Sequence, residues 1–187
     1  NNPKIVLAAV QQNGLALQYA SEKLQNESEI VLATVLQNGL ALQCASEKFQ
    51  NDSEIILTSV QQNGLALQYA SEEFQNDYGI VLAAVQQNGM ALRYASEEMK
   101  NNKDIVLAAV KEDNEISSEY AREEEDGYVY TSGEFQEYGS PLQYASKNLR
   151  KNKIIVIAAV DNSGIALQYA SEELQGNEEI VFAAVNE

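Results

Sequence analysis

The sequence predicts an all-α fold, an α-solenoid of stacked two-helix repeats with a period of 25 residues. Two observations predict it. The apolar hexad IVLAAV at Ile5 to Val10 returns as IVLATV at Ile30, IILTSV at Ile55, IVLAAV at Ile80 and Ile105, IVIAAV at Ile155 and IVFAAV at Ile180, always 25 or 50 residues on. A second block, NGLALQYASEKLQ from Asn13, follows five of the seven hexads, recurring from Asn38, Asn63, Asn88 and Ser163. Self-similarity at such a period is the signature of stacked supersecondary units, each unable to bury its own apolar face alone.

The first helix of each unit is read from the wheel at 100° per residue. In Glu29-Ile30-Val31-Leu32-Ala33-Thr34-Val35 apolar side chains cover most of the circumference, leaving a polar sector near Glu29 and Leu36, so the helix is expected to be buried on most sides. A strand is the alternative for so β-branched a run, but paired alanines such as Ala8-Ala9 argue for helix. Asn26-Glu27-Ser28-Glu29 and Asn51-Asp52-Ser53-Glu54 fit a capping box opening this helix at Asn. Gly14, Gly39, Gly64, Gly89 and Gly164 are expected to close it in the left-handed conformation. Asn13, Asn38, Asn63, Asn88 and Ser163 are then placed to cap the second helix.

In that second helix Ala16, Leu17, Ala20 and Leu24 share a core-facing arc, while Gln18, Ser21 and Glu22 lie away from it. Leu15 and Tyr19 form another arc, expected at the outer surface or along the seam between units. Residues 1–187 are read as a single repeat domain of about seven and a half units, interrupted by the segment Lys111 to Tyr138, where the repeat degenerates. That segment holds ten acids and two bases, half of the chain's net charge of −16. Because the 25-residue register survives across it, the array reads as locally distorted, with Ser140-Pro141 restarting the second helix. Asn1 shares a repeat position with Asn26 and Glu187 stops just past a hexad, so the chain reads as a fragment of a longer one, with uncapped ends able to self-associate.

Composition narrows the function. A strongly acidic chain is repelled by nucleic acid and by anionic membrane, so neither is an expected partner. No His is present to serve as proton shuttle or zinc ligand. No apolar run approaches the roughly 18 residues of a membrane span, and the N-terminus has no signal-peptide pattern. Arg122 to Gly133 resembles a calcium loop only superficially, because Arg122 and Gly133 occupy the first and last ligand positions. Pairs such as Glu72-Glu73 recur on a polar face and read as solvated. Cys44, standing where other units have Tyr, has no basic group beside it and reads as an inert thiol. No catalytic residue, metal site or cofactor is therefore expected.

Two features point to binding. One is a ladder of Tyr19, Tyr69, Tyr94, Tyr144 and Tyr169 with Gln18, Gln43, Gln68, Arg93, Gln143 and Gln168 beside it, since Tyr offers apolar area with a polar tip. Rings that merely seal adjacent repeats are the competing reading. The other is Tyr120, Tyr128, Tyr130 and Tyr138 within the acidic interruption, as a docking loop or phosphorylation target.

The words IVLAAV, NGLALQYASEEF and QND resemble a family of short helical repeats of unassigned function, found in effectors of intracellular amoeba-infecting bacteria and in some protists. The resemblance covers nearly all of the chain except Lys111 to Tyr138 and carries over no catalytic or binding residue. It implies the repeat region of a secreted effector working in the host cytosol. The expected function is a non-enzymatic scaffold for a protein partner with a basic surface. A structural spacer or oligomerisation module is the alternative, and a calcium-responsive regulator or enzyme a remote one.

Overall fold

A computed structural model describes residues 2–112 and 139–185. The described residues are helical, without strands, and successive units pack in sequence order as the 25-residue repeat requires. The long helices run Pro3–Gln12, Ser28–Gln37, Ser53–Gln62, Tyr78–Gln87, Lys103–Lys111, Lys153–Val160 and Glu178–Val185, and each lies beside the next. The tyrosines of the interruption, Tyr120, Tyr128, Tyr130 and Tyr138, lie outside the described residues.

Each long helix begins one residue later than the capping box places it. Asp52 is the N-cap, its carboxylate accepting from the amides of Glu54 and Ile55 at 3.1 and 3.2 Å, and Asn102 and Asn152 do the same in later units. The preceding Asn26, Asn76 and Asn101 instead end the short helix before them. Inward-facing Ile30, Val31 and Val35, with their counterparts in every internal unit, form the continuous core. Burying each such side chain contributes about 1.5–3 kcal/mol.

The second helix is divided. Asn13, Asn38, Asn63 and Asn88 cap it as expected, each side-chain oxygen accepting from the amide two residues on. Beyond the cap the chain winds into a 3-10 helix, Gly14–Tyr19 and its equivalents Gly39–Cys44, Gly64–Tyr69, Gly89–Tyr94, Pro141–Tyr144 and Gly164–Tyr169. It then extends through Ala20 and Ser21 before one α-turn, Glu22–Gln25. In later units the extended serine bonds the preceding unit. The Ser71, Ser96, Ser146 and Ser171 amides donate to the carbonyls of Gln50, Gln75, Lys100 and Arg150 at 2.9–3.1 Å, and an amide so used is not available to a helix. Gln25, Gln50, Gln75 and Gln175 fold back so that their side-chain amides donate to carbonyls freed at the end of the 3-10 helix.

The corner glycines do not take the left-handed conformation; the residue before them, Asn13, is extended at φ −150°, ψ 108°. Their requirement is close approach. A Cβ on Gly14 would lie 2.8 Å from the Thr34 carbonyl oxygen of the next long helix, and one on Gly39, Gly64 or Gly164 would press closer still on the oxygen of Ser59, Ala84 or Ala184. Glycine here sets the distance between units.

Candidate protein-binding surface

The ladder lies on the face made by the 3-10 helices, which pack successively against one another. Tyr69, Tyr94, Tyr144 and Tyr169 are half-buried and rest on the core. Contacts between units run along this row: the Tyr69 hydroxyl donates to Gln43 Oε1 of the preceding unit at 3.4 Å, and the Arg93 guanidinium sits 5.0 Å from the Tyr94 ring centre and 5.9 Å from that of Tyr144 in the next stacked unit. Such contacts join the seam by ring packing and cation–π attraction. Tyr19, in the first described unit, is 84% exposed. Of the neighbouring polar positions Gln18, Gln43, Arg93 and Gln168 are exposed, while Gln68 and Gln143 are partly covered.

The structure thus brings the described ladder residues together in one row, with the rings at the seam and partly open to solvent. Cys44 shows what a missing ring leaves. It lines an open depression of about 480 Å³ with Leu15, Gln18, Gln25, Gln43 and Ala45. Burial pushes its thiol up from the ordinary value, against a smaller opposing hydrogen bond from the Gln18 backbone, which reduces its thiolate fraction. Among the described residues no cluster of three or more His, Cys, Asp or Glu is arranged to hold a metal ion, and no helix is long and apolar enough to cross a membrane.

A second set of side chains ties unit to unit along the edge where the short α-turn meets the long helix. Ser46 Oγ donates to Asn26 Oδ1 at 2.6 Å and Ser71 Oγ to Asn51 Oδ1 at 2.8 Å; Ser96 bonds Asn76 in the same way. At the glycine corners, Gln37 Oε1 accepts from the Gly14 amide at 2.6 Å, and Gln62 and Gln87 accept from Gly39 and Gly64. These ladders were legible only as recurring Asn, Ser and Gln, since local sequence does not say which unit a side chain reaches.

The Asn–Ser ladder also shows how the stack meets the interruption. Ser146 Oγ donates to Asn101 Oδ1 at 2.6 Å across a separation of 45 residues, where the other rungs span 20. The extra length is one repeat. Correspondingly, the long helix Lys103–Lys111 packs directly on Lys153–Val160.

A family model described as Domain of unknown function (DUF4116) matches residues 2–50, 27–75, 52–99, 77–124, 135–175 and 152–187. The chain belongs to this family. Successive DUF4116 matches begin 25 residues apart over the first four, the spacing of the structural units, and most span two of them. No curated protein and no solved structure matches the chain.

Proposed function

We propose that this DUF4116 array is a non-enzymatic scaffold that binds another protein through its repeated lateral surface, and that the partner presents a basic face. The observation that carries the reading is the repetition itself: the same polar and aromatic positions return on one continuous face in five of the six described 3-10 arms, Cys44 replacing the ring in the other, with Gln18, Gln43, Arg93 and Gln168 exposed. Such repetition suits an extended partner, and a net charge of −16 steers basic ones. The words shared with effector repeats support a further part of the proposal, that the chain is the repeat region of a secreted effector acting in a host cytosol.

Affinity capture from host lysate, then titration of the captured protein, tests this. Arg93→Gln copies the residue of other units and gives up the cation–π contacts to Tyr94 and Tyr144, so stability should fall by no more than about 1 kcal/mol while a partner held at the ladder loses severalfold in affinity. The spacer reading is favoured instead if no saturable partner is found and light scattering shows oligomers growing with concentration.

A further inference from the structure

The long helices present a second face, on which the 3-10 ladder has no part. In the second unit Ile30, Val31, Thr34 and Val35 are buried, which leaves Glu29, Leu32, Ala33 and Leu36 on the outward stripe. The third unit repeats this with Glu54, Leu57, Thr58 and Gln61 outward, and the fourth with Leu82, Ala83 and Gln86. Since these helices lie side by side, the stripes join into a row of Leu32, Leu57 and Leu82 widened by Leu36. Leu36 is 60% and Leu57 37% exposed, while Leu32 and Leu82 are half-buried against the core and show only part of their side chains.

The small residues Ala33, Thr58 and Ala83 beside that row keep it shallow. Along one rim, the first turns of these helices (27–29, 52–54 and 77–79) hold five acids and no base. Farther along the stack the same rim carries Lys153, paired with Glu179 at 2.6 Å, so the uncompensated acidic stretch belongs to units two to four.

We propose that this face docks a basic amphipathic helix lying along the axis of the stack. Its apolar stripe would cover the leucine row and its cationic flank would meet Glu29, Glu54 and Asp77. Spacing agrees with charge. Neighbouring helices pack about 8–10 Å apart, and seven residues of a bound helix rise about 10.5 Å, so one apolar side chain per heptad meets one unit. A second copy of this chain would bring a like-charged rim against the same acids, and charge therefore selects a basic partner over self-association.

The test uses a labelled synthetic peptide of three heptads, with Leu on one stripe and Lys and Arg flanking it, titrated by fluorescence anisotropy against the full chain. Leu36→Gln copies Gln61 and Glu54→Lys copies Lys4, so the double variant keeps residues that the fold already accepts. The expected result is saturable binding, weakened at least fivefold by the double variant and at least tenfold by shuffling the Leu positions at constant composition, with Arg93→Gln leaving it unchanged. Absence of saturable binding, equal binding of the shuffled peptide, or equal binding to the double variant overturns the proposal. Loss on Arg93→Gln would do so too, by moving the peptide to the ladder.

Discussion

The joins among units one to four differ from the join across residues 113–138, and the difference separates what defines the stack from what decorates it. At the regular joins a Gln from the next unit accepts from the corner glycine amide, while Gln37 also reaches the Gln12 carbonyl at 3.4 Å. Across the longer connection, Pro141 packs near Gly89, and Asn162 donates to the carbonyls of Val110 and Lys111 at 2.7 and 3.3 Å. The Asn–Ser rung, the Ser146-to-Lys100 backbone bond and the long-helix packing are all retained. A unit therefore recognises its neighbour by side-by-side helix packing and the serine edge, whatever length of chain connects them, as nearest-neighbour stacking implies.

The largest expected effect contrasts two glycines. Gly64→Ala drives a Cβ into the Ala84 backbone oxygen and should cost about 2–4 kcal/mol. Gly139→Ala meets the ends of Gln143 and Tyr169, side chains able to shift, and should cost under about 1 kcal/mol. Thermal and urea unfolding would read both, and equal losses would mean that the two corners are equally tight.

Next come the rungs. Asn51→Ala and Asn101→Ala each remove one inter-unit hydrogen bond, for a loss of about 1 kcal/mol apiece by denaturant unfolding. A much smaller loss for Asn101→Ala would show that the join across 113–138 is looser than the regular ones.

The same comparison predicts a gain. Ser171 Oγ is buried without a hydrogen-bond partner, and the repeat position that supplies Asn elsewhere holds Lys151. Lys151→Asn should complete that rung and stabilise the chain by about 0.5–1.5 kcal/mol, seen as a raised melting midpoint. No change, with the serine hydroxyl still exchanging freely by NMR, would break the account.

The smallest effect is expected from removing the most chain. Deleting residues 114–138 takes out one repeat length that the described stack already bypasses, so the melting temperature should move by less than about 3 °C. Collapse of the transition would place essential contacts within the deleted segment.

Much of this architecture was readable from residue order. The hexads announced the long helices, Leu17 and Leu24 proved buried where the wheel put them, and the second-arm asparagines cap as their position before glycine implies. Residue order misleads where the governing partner is about 20 residues away. A continuous second helix was the sensible inference from NGLALQYASEEF, yet the chain winds into 3-10 turns and extends at the serine, whose amide in four later units bonds the preceding unit. The same limit applied to the candidate surfaces: the ladder was visible as a row of tyrosines, but its placement at a seam depends on the neighbour each ring covers. Leu32, Leu57 and Leu82 do not stand out as a face in the sequence because their wheel is apolar almost all round.

By itself the sequence determined the period, the all-α class, the units' core residues and the acidic charge, because these rest on local periodicity and composition. Only the tertiary structure decided which side of each amphipathic element faces outward, why the corners must be glycine, and that units joined across 113–138 still stack as neighbours. Those outcomes depend on the distance between backbones of successive units, a quantity no single unit contains.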